Sequence, residues 1–109
     1  MEGRIFIDNT EIGIVEFKII DANMGVIAGD FVAAGGYGKF KSEIQLLTEK
    51  NGNANSRNFN FKIFVENIEL NPVGGICVID SEEFGEIYLD AAGISQSELE
   101  KFHNSKNDN

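Results

Sequence analysis

Alternating apolar and polar positions predict a β-strand over residues 59 to 65. The apolar positions are Phe59, Phe61, Ile63 and Val65, with Asn60 and Lys62 between them. This period, with aromatic and β-branched side chains, is typical of a half-buried strand. The apolar positions then change phase to Ile68 and Leu70, which indicates a β-bulge near Glu66 and Asn67. Pro72 ends the run, because proline cannot donate to a sheet ladder.

Five further segments have strand patterns. They cover residues 4 to 8, 11 to 21, 24 to 34, 76 to 79 and 86 to 90. The first two predict an N-terminal hairpin. Interior glycines in residues 24 to 34 indicate a bulge, a bend or a close backbone approach. Residues 76 to 79 are apolar throughout, which favours a strand covered on both faces.

Residues 39 to 50 fit two patterns. Phe40, Ile44 and Leu47 recur at helical spacing, and Ser42 with Gln45 matches a capping box. Alternate residues from Phe40 to Thr48 also fit a strand. We favour the strand, because it would pair with residues 59 to 65 as a hairpin.

The end of the chain carries a helix signal. Ser95 and Glu98 match a capping box, and Ile94 and Leu99 occupy the flanking staple positions. The pattern predicts a helix over residues 96 to 103, with Leu99 and Phe102 on one face. It also predicts a disordered polar tail over residues 104 to 109.

These elements predict a mainly β protein: an antiparallel sandwich or partly closed barrel of six to seven short strands, with one short C-terminal helix. The class becomes α+β if residues 39 to 50 are helical. The 109 residues suit a single globular domain over residues 1 to 103.

Charge is distributed unevenly along the chain. Residues 63 to 100 contain nine acidic residues and no Lys or Arg, and the remainder is balanced, so the net charge of −9 lies formally in this segment. Such a charge repels nucleic-acid phosphates and anionic membrane surfaces, and we expect neither as a partner. No apolar run approaches the length of about 18 residues that a membrane helix needs.

The acidic residues near the connection after residue 80 are the candidate binding site. They are Asp80, Glu82, Glu83, Glu86 and Asp90. Loops on a rigid scaffold are common binding elements, so this cluster predicts contact with a basic protein partner. The alternative is that these charges are only solvated. Their spacing matches no EF-hand loop, so we predict no metal site, and no cofactor.

Catalytic chemistry has little support. Nucleophilic catalysis needs a nucleophile beside a base, but Cys77 lies in the most apolar run and reads as a buried, inert thiol. His103, the single histidine, falls in the predicted tail. The glycines at residues 35 to 38 lack the spacing of a phosphate loop. The sequence therefore predicts no catalytic residues and favours a protein that is not an enzyme.

We expect a small acidic cytoplasmic binding protein that acts through protein–protein interaction, such as an inhibitor or immunity protein for a basic toxin or enzyme. A single cysteine and the lack of a leader pattern favour the cytoplasm. The alternative is a small-molecule-binding domain or cofactor-free enzyme with a pocket beside residues 24 to 34. A third hypothesis is that the protein has a structural role as a homo-oligomer.

Overall fold

An antiparallel sheet, curved into a half-barrel, forms the body of the protein. The computed structural model describes the backbone of residues 1–83 and 85–107 and the side chains of residues 1–83 and 85–101. Nine strands lie in this described part of the chain: β1 Glu2–Ile7, β2 Thr10–Glu16, β3 Lys18–Asp21, β4 Val26–Ala33, β5 Ala54–Asn55, β6 Phe61–Val65, β7 Ile68–Glu69, β8 Gly75–Ser81 and β9 Glu86–Ala92. A 3₁₀ turn Gly35–Lys39 and the helices α1 Lys41–Asn51 and α2 Gln96–Asn107 complete it.

The strand order is β5-β8-β9-β4-β2-β1-β6-β7, with β3 paired to β4 beside β2. β1, β2 and β4 form the centre as consecutive antiparallel neighbours. The second half of the chain supplies both flanks: β6 returns to β1, whereas β9 pairs with β4 and β8 with β9. The predicted fold class, mainly antiparallel β with a C-terminal helix, is confirmed. The described residues form nine strands, whereas the sequence predicted six to seven. The difference comes from β5 and β7, which are only two residues long.

The predicted strand at residues 59 to 65 is present as β6, but the phase change after it is not a bulge. Val65 lies opposite Ile68, and Glu66 and Asn67 between them have φ of 51° and 67°. Two successive residues with positive φ are typical of the tight turn of a two-residue hairpin. The apolar positions change phase because the chain reverses there.

The strand favoured over residues 39 to 50 is wrong, and the helical alternative is correct. Helix α1 occupies Lys41–Asn51 and ends where Gly52, with φ of 85°, donates its N–H to Thr48 O at 2.8 Å. The hairpin expected with β6 does not form, because β1 pairs along one edge of β6 and β7 along the other. The segment packs on β8 instead and buries Ile44.

Helix α2 begins as predicted. Ser95 Oγ accepts the Glu98 N–H at 3.2 Å, and Glu98 Oε1 accepts the Ser95 N–H at 3.1 Å, which completes the capping box. The helix continues to Asn107, so the predicted end at residue 103 is too early. The side chains of Phe102 and His103, and residues 108 and 109 of the predicted tail, lie outside the described residues.

The core lies on the concave face of the sheet, under α1 and the start of α2. Its most deeply buried side chains are Ile5, Ile7, Ile12, Val15, Ile27, Ile44, Ile63, Val78 and Leu89. The Cα radius of gyration is 13.4 Å, close to the value of about 13 Å expected for one domain of this length. The described residues therefore form a single compact domain.

Candidate functional site

Strands β8 and β9 form a regular hairpin whose two faces differ. Ile76 and Val78 point into the core, whereas Cys77 and Ile79, which alternate with them, are only half-buried. On the outer face the register places Ser81 opposite Glu86, Ile79 opposite Tyr88 and Cys77 opposite Asp90. The expectation that residues 76 to 79 are covered on both faces is therefore wrong, because the structure covers only the concave face.

The turn of this hairpin carries the predicted acidic residues. Glu82 and Glu83 are exposed in the turn, and Glu86 is exposed at the start of β9. Gly85 has φ of 67°, a conformation that glycine adopts without a steric penalty, and its N–H donates to Ser81 O at 3.1 Å. Phe84 lies outside the described residues. Two exposed glutamates in the turn and a third beside it therefore lie at the end of a regular two-stranded ladder.

Asp80 does not lie on this surface. It shares the concave face with Ile76 and Val78, and only 3% of it is exposed. Its carboxyl group accepts the hydroxyl of Tyr37 at 2.6 Å and is 3.4 Å from the amide nitrogen of Gln45. Sequence reasoning placed Asp80 with its acidic neighbours, but the alternation of the strand turns it inward, where it cannot contact a partner protein.

Asp90 lies on the outer face, but it is half-buried. It sits between Cys77 on β8 and Ala28 on β4. Desolvation raises the pKa of its carboxyl group. Desolvation, and after it the charge of Asp90, raises the pKa of the Cys77 thiol. Cys77 is thus a half-buried thiol rather than the fully buried one expected, and its raised pKa disfavours the reactive thiolate.

Two residues that were not predicted from the sequence also lie on the outer face of the sheet. Tyr88, 38% exposed, and Asp30 of β4 lie opposite each other across the β4–β9 ladder. Asp30 follows an inward-facing glycine and precedes the buried Phe31, so alternation along β4 could have identified it as outward-facing. We name the set Glu82, Glu83, Glu86, Tyr88 and Asp30 the hairpin surface.

The nine acidic residues of the segment from 63 to 100 do not form one surface. Glu66 and Glu69 lie at the β6–β7 hairpin, and Glu98 and Glu100 lie on α2. Asp80 is buried, Asp90 is half-buried, and the remaining three are on the hairpin surface. A charge bias that is continuous along the chain is divided by the fold among separate places.

The glycine-containing segment predicted to flank a pocket is packed against its neighbours. A Cβ atom added to Gly29 would lie 2.2 Å from the backbone oxygen of Glu16, so this glycine permits a close approach of β4 to the end of β2. A cleft of about 30 Å³ occurs elsewhere, between the β6–β7 hairpin and α2. That volume suits about one water molecule, whereas small-molecule sites are roughly 300 Å³ or larger.

In the part of the chain that the structure describes, no three His, Cys, Asp or Glu side chains are placed to hold a metal ion together. Within the same residues, no helix has the length and apolar character to cross a membrane. Comparison of the chain with protein-family models, with curated proteins and with solved structures finds no match in any of the three. The function must therefore be argued from the geometry of the chain itself.

Proposed function

We propose that this protein binds a basic partner protein through its hairpin surface. The observation that carries the proposal is the exposure of Glu82, Glu83 and Glu86 together at one turn. The ion pairs of the described residues, Met1–Glu16 and Arg4–Glu11, involve none of these three glutamates. Their charge is therefore directed to the solvent and remains available to a cation.

The hairpin is held at a defined position, which favours binding by a preorganised surface. β9 pairs along one edge with β8 over seven residue pairs and along the other edge with β4. Tyr88 adds an aromatic side chain beside the carboxylates. Exposed tyrosines and complementary charges both contribute to protein recognition.

The partner class follows from the charge. A net charge of −9 with exposed glutamates on a rigid turn raises the rate of encounter with a positively charged protein. Inhibitors and immunity proteins of basic toxins or enzymes have this combination of small size, acidity and a preformed surface. We propose this role, in the cytoplasm, and a protein that acts by covering its partner rather than by catalysis.

The test compares two variants with the same change in net charge. Glu82→Lys with Glu83→Lys reverses two of the four negative charges of the hairpin surface and leaves this surface formally neutral. Glu69→Lys with Glu100→Lys reverses two exposed glutamates on β7 and α2. A partner isolated from the native host at low salt is identified by mass spectrometry, and its association rate is measured by stopped flow at two salt concentrations.

We expect the hairpin variant to slow association at least several-fold and the control variant to change it much less, because charges at the contact dominate steering. Wild-type association should slow as salt rises, since the Debye length is only about 8 Å at physiological ionic strength. Equal effects of the two variants would show that only net charge matters, and no effect of either would exclude the hairpin surface.

A further inference from the structure

Asp90, on the outer face of the sheet, is a half-buried carboxylate without a partner among the described residues. Its cross-strand neighbours, Cys77 on β8 and Ala28 on β4, carry no positive charge. Neither ion pair of the described residues includes Asp90, and no hydrogen bond to its carboxylate offsets the desolvation. Burying a charge without a partner costs free energy. A group that lowers the stability of its own fold in this way is typical of a binding site, where a ligand supplies the missing partner.

An exposed aromatic residue and a second carboxylate lie beside Asp90. Tyr88 precedes it by two residues on the same face of β9 and is 38% exposed. Asp30 of β4 lies directly opposite Tyr88 and diagonally from Asp90. Opposite Cβ atoms in a sheet are about 5 Å apart and diagonal ones about 7 Å, which one long side chain can span. We name Tyr88, Asp30 and Asp90 the Tyr88 site.

We propose that the Tyr88 site binds an arginine side chain of the basic partner, with the guanidinium group on the Tyr88 ring and its N–H groups donated to Asp30 and Asp90. This inference rests on the proposed function, because it names the residue type that the basic partner contributes. The face of an aromatic ring attracts a cation. A guanidinium group is planar, has five N–H donors and is weakly hydrated, so it can stack on the ring and reach two carboxylates, whereas lysine offers a compact, strongly hydrated ammonium. The site therefore favours arginine over lysine.

Lys18 is the base that the strand register places nearest to the Tyr88 site. It lies on β3 opposite Ala28, so strand β4 separates it from Asp90. Two strand spacings amount to about 10 Å between the backbones. In the part of the chain that the structure describes, Lys18 forms no ion pair with either carboxylate of the site. The carboxylates therefore remain available to a cation of the partner.

The experiment titrates the ¹⁵N-labelled full chain at pH 7 with N-acetyl-arginine amide, N-acetyl-lysine amide and N-acetyl-citrulline amide. Citrulline has nearly the shape of arginine but no charge. Amide chemical shifts are recorded for the Tyr88 site and for the turn before Glu86. The variants are Asp90→Asn, Tyr88→Leu and Lys18→Gln, and Glu69→Gln, at an exposed glutamate of β7, is the control for the loss of one negative charge.

We expect the arginine amide to shift the amides of the Tyr88 site saturably, to bind at least threefold more tightly than the lysine amide, and the citrulline amide to cause no saturable shift. Asp90→Asn should weaken arginine binding at least fivefold without lowering the stability in urea, which separates lost binding from lost folding. Tyr88→Leu should remove the preference for arginine, and Glu69→Gln should change binding less than twofold.

Arginine and lysine amides that bind equally would overturn the proposal, as would unchanged affinity in Asp90→Asn or no shift at the Tyr88 site. Lys18→Gln should change binding less than twofold, and tightening of fivefold or more would show that Lys18 itself fills the site. The proposed function is tested separately: a partner whose association still responds to Glu82→Lys with Glu83→Lys would keep the hairpin surface and remove only the arginine site.

Discussion

At the scale of single residues, the buried carboxyl group of Asp80 connects three elements. Tyr37 comes from the 3₁₀ turn, Gln45 from α1 and Asp80 from β8. The Asp80 N–H also donates to Thr48 Oγ1 of α1 at 3.1 Å. Buried polar groups require such partners, since an unsatisfied one costs about 1 to 3 kcal/mol. The network therefore fixes α1 on the concave face of the sheet.

Replacing Tyr37 with Phe tests this network. The variant removes the hydroxyl that donates to Asp80 at 2.6 Å and leaves the ring in place. We expect the free energy of unfolding to fall by about 2 kcal/mol, because a buried carboxyl group loses its closest donor. Tyr88→Phe, at an exposed tyrosine, is the matched control and should change it by less than about 0.5 kcal/mol. Similar effects in urea denaturation would contradict the assigned role of the hydroxyl.

The raised pKa of Asp90 predicts how the stability of the folded protein depends on pH. Because desolvation raises its pKa in the folded state, the folded protein binds the proton more tightly than the unfolded chain does. Ionised Asp90 therefore destabilises the protein at neutral pH, and acidification through its folded pKa removes this effect. We expect Asp90→Asn to be more stable than the wild type at pH 7, with the difference vanishing below about pH 4. A difference independent of pH in thermal unfolding would contradict the assignment.

At the scale of elements, α2 shows how a local cap also joins the helix to the sheet. Besides completing the capping box, Glu98 accepts the Asn71 N–H at 3.0 Å through its other carboxylate oxygen. Partial burial opposes ionisation, but the hydrogen bonds from Asn71 and Ser95 outweigh it and lower the pKa of Glu98. The carboxylate thus stabilises both the helix start and the loop after β7.

Removing the cap should destabilise the protein. Ser95→Ala with Glu98→Ala should lower the free energy of unfolding by about 1 to 2 kcal/mol at pH 7. Since the folded pKa of Glu98 is lowered, its contribution is present above its unfolded pKa of about 4.3 and is lost as pH falls through the folded value. The single variant Glu98→Gln should therefore approach wild-type stability in acid. Unchanged denaturant midpoints in the double variant would refute the helix start.

The two helices differ in how far their sequences predict them. The signal for α2 is local: a hydroxyl and a carboxylate three residues apart close a specific hydrogen-bonded ring. The segment of α1 fits helical and strand periods equally well. Its conformation depends on which strand edges are free, and β6 is already paired with β1 and β7. The local sequence pattern cannot show that both edges of β6 are already paired, and this is why the strand interpretation failed.

At the scale of the whole molecule, the close contact of β4 with the end of β2 sets the path of the sheet. Gly29 allows it, because any Cβ there would meet Glu16 O. Gly29→Ala should lower the free energy of unfolding by about 2 to 3 kcal/mol, since backbone atoms must move. Gly38→Ala, where an added Cβ meets nothing within 4 Å, is the matched control and should be nearly neutral. Equal effects in chemical denaturation would show that the contact is not restrictive.

The sequence alone determined the features that depend on neighbours along the chain. Alternation identified β6 and β9, the capping box placed the start of α2, and together the patterns predicted a mainly antiparallel β protein. Period and capping are local physical constraints, so they can be read without knowing the fold. Exposure of Glu82, Glu83 and Glu86 was also expected, because turn residues normally face solvent.

Tertiary structure alone decided which face of each strand is covered and which edges are paired. Asp80 and Glu82 are two residues apart, yet one is buried beneath α1 and the other is exposed. Cys77 is only half-buried because the sheet is covered on its concave face and not on the outer one. Each depends on contacts between segments distant in sequence, which the order of residues does not display.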